Sequence, residues 1–124
     1  MLPKTGNIVT DPTTNLQWQD DSTVTSNAQN WDSAVAYCDN LTLDNYSDWR
    51  LPTLTELQTI VDINNHPTRK TGFQYAVGSI YWTSDIRIGF YLSSRKVFDF
   101  WNGLEDWFPE INSNIKKCCV RGGN

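Results

Sequence analysis

The chain has 124 residues, with ten Lys and Arg against fourteen Asp and Glu, a formal charge of −4, and 39% hydrophobic residues that include six Trp. That size and apolar content suit one domain spanning residues 1–124 and exclude a disordered chain. The acidic balance excludes nucleic acid as a partner, because phosphate backbones need clustered Lys and Arg, and it excludes unaided binding to an anionic membrane.

No apolar run reaches transmembrane length, so no membrane insertion is expected. Residues 1–6 have no apolar h-region and do not read as a signal peptide. The chain is therefore read either as cytosolic or as the mature part of an exported protein.

Asn7, Ile8, Val9 and Thr10 predict a short strand. Asp11-Pro12-Thr13-Thr14-Asn15 has turn chemistry, since Pro presets φ and Asp and Asn bond their own backbone. Leu16-Gln17-Trp18-Gln19 alternates apolar and polar residues and predicts the returning strand of a hairpin. Residues 20–29 are polar and rich in Ser and Thr, as in a surface loop. Asn30 is placed to cap a helix, with Asp32 near the positive end of its dipole. Trp31, Ala34, Val35, Cys38 and Leu41 recur at helical spacing as its buried stripe, and it should end near Asp39 and Asn40.

A turn over residues 41–47 leads into Asp48-Trp49-Arg50-Leu51-Pro52-Thr53-Leu54-Thr55-Glu56-Leu57. Pro52 pushes Leu51 out of the helical region, so the chain arrives extended. Thr53 can then cap a helix, with Glu56 three residues on, as a reciprocal capping box requires. Leu54, Leu57, Ile60 and Val61 share one face, and this helix is expected to run from Leu54 to Asp62. The junction reads as a fold signature, not an active site.

Residues 64–72 form a polar loop that holds His66, read as a loop residue. Beyond it the pattern becomes β-rich, starting with Ile80-Tyr81-Trp82-Thr83-Ser84. Gly89-Phe90-Tyr91-Leu92 and Val97-Phe98-Asp99-Phe100-Trp101 are expected to form a hairpin around Ser93-Ser94-Arg95-Lys96. Asn102-Gly103 is a turn signal, and residues 105–110 read as irregular. A last strand over residues 115–120 carries Cys118 and Cys119 and ends at Arg121-Gly122-Gly123. Helices early and strands late indicate an α+β domain.

One His and no C-x-x-C pair make metal binding by the cysteines a poor reading. A disulfide from Cys38 to one of the C-terminal pair closes a loop of about 81 residues, which the chain-entropy model values at roughly 4 to 5 kcal/mol. Neighbouring strand residues face opposite ways, so only one of Cys118 and Cys119 can meet Cys38. Three reduced, buried thiols in a cytosolic protein are the competing reading. The bridge is adopted here, and with it an extracytoplasmic location: secreted, at the cell surface or periplasmic.

Several runs carry a family resemblance. They are Thr10-Asp11 with Leu16-Gln17-Trp18-Gln19, Trp31 with Ala36-Tyr37-Cys38, Tyr46-Ser47-Asp48-Trp49-Arg50-Leu51-Pro52-Thr53 with Glu56-Leu57, Tyr81-Trp82-Thr83-Ser84, and Cys119-Val120-Arg121-Gly122-Gly123. Together they resemble the bacterial family named for the C-terminal domain of a collagen-like adhesin, mostly known as a domain of unknown function. The resemblance implies a C-type-lectin-like fold, two helices on a small, twisted, mostly antiparallel sheet, in exported or surface-attached modules. It further implies that Cys38 and Cys119 form the bridge and that Cys118 is the odd cysteine. The adhesin's own domain implies recognition of sulfated glycans, but residues 85–114 depart from the family pattern and carry no inherited basic surface. The Arg-Leu-Pro-Thr run is also similar to the formylglycine-generating relatives of that fold.

No nucleophile elbow and no Gly-rich phosphate loop accompany the single His, which disfavours catalysis. Calcium is the one cofactor considered. Asp99, Asn102, Glu105 and Asp106 are close in sequence, but an acidic hairpin is more often solvated surface. The candidate ligand-binding set is Trp101, Asn102, Glu105, Asp106, Trp107, Phe108 and Glu110, where aromatic faces stand beside hydrogen-bond acceptors. Phe98, Phe100 and Trp101 also suit the core, together with Trp18, Trp31, Trp49 and Trp82; for Trp107 and Phe108 both readings stand. Arg50 and Arg121 are read as internal ion pairs or carbonyl binders.

The expected function is non-enzymatic recognition of a glycan or surface protein through the loops between residues 85 and 114. A structural or homo-oligomerisation module and, less favoured, a formylglycine-generating type of enzyme are the alternatives.

Overall fold

The turn chemistry of residues 11–15 brings two half-buried strands together. In the computed structural model, which describes residues 1–26, 28–65, 68–75, 78–86 and 94–123, β1 (Lys4–Thr5) is followed by β2 (Ile8–Asp11) and β3 (Leu16–Gln19). β2 and β3 are antiparallel, with Val9 opposite Trp18, and Asn15 turns the chain at φ 60°. A single helical turn, α1 (Thr23–Ser26), interrupts the expected loop.

The first predicted helix is α2 (Trp31–Asn40), capped by the Asn30 side chain, which accepts the Ser33 N–H at 2.9 Å. The second is α3 (Leu54–Gln58), and both halves of the Thr53–Glu56 capping box are made. It stops short of Asp62. The Thr59 hydroxyl donates to the Glu56 carbonyl at 2.6 Å, and the N–H groups of Ile60 and Val61 reach back only three residues, which tightens and ends the turn.

The later half forms β4 (Ile80–Ile86), β5 (Ser94–Asp99) and β6 (Leu104–Pro109), a three-stranded antiparallel meander in that order. Here the sequence reading needs correction. Ser94, Arg95 and Lys96 are not a turn but strand residues, with Arg95 opposite both Ile86 and Phe108. Residues 104–109 are not irregular: the acidic residues mask an alternation that pairs Leu104 with Asp99 and Trp107 with Lys96. The expected strand over Gly89, Phe90, Tyr91 and Leu92, and the loop residue His66, lie outside the described residues.

Residues 115–119 make only isolated bridges, such as Lys116 with Tyr81, and the last strand is β7 (Val120–Gly122) beside β3. Among the described residues the α+β domain therefore has two antiparallel sheets where one was expected, ordered β1-β2-β3-β7 and β4-β5-β6.

The three-stranded sheet is covered on both faces. Tyr81 and Phe98 point to a cluster with Trp18, Leu57, Ile60, Phe100 and Cys118. Trp82 and Val97 point to a second, with Ala34, Cys38, Trp49, Leu51 and Cys119. The adjacent cysteines, just ahead of β7, fall in different clusters. Cys119 bonds Cys38 across 81 residues with Cα atoms 5.5 Å apart, while the buried Cys118 thiol donates to the Gln19 carbonyl at 3.2 Å.

Beside this bridge, Arg50 and Val120 exchange both backbone hydrogen bonds at 2.9 Å. The Arg50 guanidinium makes two 2.7 Å bonds to Glu56. One short segment thus ties the last strand, the disulfide and the α3 cap together. Trp18, Trp49 and Trp82 are buried as expected, and Trp31 is half-buried. Trp101 is not in the core; it is 50% exposed.

Candidate functional site

The β5–β6 turn is built by side chains that bond their own backbone. Asp99 Oδ1 accepts the Trp101 N–H at 2.7 Å, and Asn102 Oδ1 accepts the Leu104 N–H at 2.9 Å. Gly103 supplies a positive φ of 73° and donates to the Asp99 carbonyl at 2.8 Å. These bonds fix the backbone of a turn on which Leu104 is 64% exposed and Trp101 half exposed.

The two-residue strand period then decides which candidate residues can act together. Leu104, Asp106 and Phe108 share one face with Asp99, Val97 and Ile80. With Asn102 they line a groove of about 150 Å³. Glu105 touches its rim, yet its carboxylate is turned to the other face, where Lys96 lies 2.8 Å away and Gln58 donates at 3.3 Å.

Trp107 also lies on that other face, with the Lys96 ammonium 4.4 Å from its ring centroid. Glu110 does not line the groove. It pairs with Arg95 at 2.9 Å, and the Arg95 guanidinium stacks 4.3 Å over Trp31.

Of the seven predicted ligand residues, Asn102, Asp106 and Phe108 therefore share the groove, while Trp101 lies on the adjoining turn and does not line it. Glu105, Trp107 and Glu110 are engaged in packing and ion pairs. Sequence reasoning missed Ile80, Val97 and Leu104 and weighed Asp99 only as a calcium oxygen. The alternation Leu104-Asp106-Phe108 was the signal that could have found them. Among the described residues, no three His, Cys, Asp or Glu side chains are grouped to hold a metal ion.

Away from the hairpin the charged groups serve the scaffold. Burial pushes the Glu56 carboxyl upward, but the Arg50 bonds and the Thr53 N–H outweigh it and hold it below the usual range. The Arg121 guanidinium bonds Asp48 at 2.6 and 3.0 Å and lowers its carboxyl. The same guanidinium also bonds Gln17 and lies 3.7 Å over the Tyr46 ring. Both arginines are thus internal partners, as the sequence suggested.

Residues 7–121 match the Lcl C-terminal domain family. The chain belongs to this family. Among curated proteins, none matches the chain. In this Lcl C-terminal domain the matched span takes in both bridged cysteines, the Arg50–Glu56 junction and the whole β5–β6 hairpin. No helix among the described residues is long and apolar enough to cross a membrane.

Proposed function

We propose that this Lcl C-terminal domain is a non-enzymatic, extracytoplasmic recognition module of C-type-lectin-like fold. It binds a protein or glycan at a cell surface through the β5–β6 hairpin. The family membership and the long-range disulfide support the location and the fold.

One observation carries the choice of surface. Trp101 and Leu104 are exposed on the β5–β6 turn beside a groove, while Trp18, Trp49 and Trp82 are buried. An exposed aromatic next to acceptor groups suits the anchor of a recognition surface.

The test is a glycan array and cell-surface pull-downs with the intact domain and its Trp101→Ala and Leu104→Ser variants. Loss of capture in both, with unchanged thermal unfolding, is expected. Undiminished capture by both variants removes the hairpin as the site. Self-association is the second reading, favoured by the exposure of Leu104 in edge strand β6 and of Ile111 two residues beyond it. A concentration-independent monomer in sedimentation equilibrium would exclude it.

A further inference from the structure

We infer that the hairpin groove receives a Lys or Arg side chain from an extended peptide segment. This rests on the recognition reading above and names its ligand class. Ile80, Val97, Leu104 and Phe108 supply apolar surface, while Asp99, Asn102 and Asp106 add polar groups. At about 150 Å³ the groove is well below the roughly 300–1,000 Å³ of ordinary small-molecule sites, so it fits one side chain better than a sugar chain. A Lys or Arg lays its apolar stem along such surface and carries its charge to the carboxylates.

Charge complementarity selects the occupant. The cations nearest in sequence, Arg95 and Lys96, are already engaged by Glu110 and Glu105. Among the described residues, no Lys or Arg forms an ion pair with Asp99 or Asp106. Each of these carboxylates accepts one backbone N–H at 2.7 Å through Oδ1. The groove therefore keeps two negative charges for a ligand and repels sulfate or uronate groups. Because β6 is the edge of its sheet, an extended segment beside it presents every second side chain to this face.

The probe is the capped peptide Lys-Val-Lys-Val-Lys, compared with Glu-Val-Glu-Val-Glu and titrated into the intact domain at low salt, with backbone amide NMR as readout. The Lys peptide should shift Val97, Leu104 and Asp106, and the Glu peptide should not. Asp99→Asn with Asp106→Asn should weaken binding about fivefold, the scale of an exposed ion pair. Asn retains Oδ1, so the turn bonds survive, and unchanged hairpin shifts in the free variant verify this. Asp39→Asn, on the exposed surface of α2, should have no effect.

Equal weakening by Asp39→Asn, or no shifts at the hairpin, overturns the inference. If that happens while Trp101→Ala still abolishes surface capture, only the ligand class fails. If the Lys peptide binds the hairpin but Trp101→Ala leaves capture intact, the recognition reading is what fails.

Discussion

Removing the Cys38–Cys119 bond is the most informative perturbation of the scaffold. The bond spans 81 residues, and the chain-entropy relation gives about 4.5 kcal/mol for a loop of that length. A domain of this kind has roughly 5–15 kcal/mol in total, so the loss takes a large part of its stability. Both sulfurs are buried with Trp49, Leu51 and Trp82, so Ala is a better replacement than Ser, whose hydroxyl would lack a partner.

The assay is urea unfolding of Cys38→Ala/Cys119→Ala against the oxidised parent, followed by Trp fluorescence. With a slope near 2 kcal/mol/M, the midpoint should fall by about 2 M. The slope itself should rise, because an uncrosslinked unfolded chain exposes more surface. A loss below about 1 kcal/mol with an unchanged slope would refute the reasoning, since the tie would then not constrain the unfolded chain.

Three further outcomes follow from the same geometry. Because the folded-state pKa of Glu56 is depressed, its stabilisation is present above the ordinary value of 4.5 and is lost as pH falls through the folded one. Glu56→Gln should therefore flatten the acid limb of stability against pH, and an unchanged limb would contradict the Arg50–Glu56 assignment. Trp101→Ala should change stability by less than about 0.5 kcal/mol, whereas Trp82→Ala should cost about 3–5 kcal/mol by thermal or urea unfolding. Burial pushes the Cys118 thiol up to about 12, so iodoacetamide at pH 8 should leave the native protein unlabelled and modify one thiol after urea unfolding; rapid native labelling would place that sulfur elsewhere.

What residue patterns alone revealed was local, and the long-range Cys38–Cys119 pairing was legible only through the family resemblance. The capping box at Thr53 and Glu56, the Asn30 cap and the 7–19 hairpin each depend on residues within a few positions of one another, and each forms where expected. The length of α3 was misjudged because a side-chain hydroxyl at Thr59 competes for the Glu56 carbonyl, which the apolar stripe through Ile60 and Val61 does not reveal. The division into two sheets was hidden for a different reason. β7 joins β3 from the far end of the chain, and no local pattern specifies such a partner.

The candidate site shows the same limit. Composition drew attention to Trp101, Trp107 and Phe108 beside Asp106 and Glu110, but once residues 104–109 are a strand Trp107 turns with Glu105 toward Lys96, away from Asp106 and Phe108. Two ion pairs there, Lys96 with Glu105 and Arg95 with Glu110, neutralise four of the hairpin's charges. The charges left over belong to Asp106, one of the expected ligand residues, and Asp99, which the sequence offered only as a calcium oxygen. Their importance follows from subtraction: a site's charge is what remains after the scaffold's own pairs are made, and that remainder is fixed only once the strand register is known.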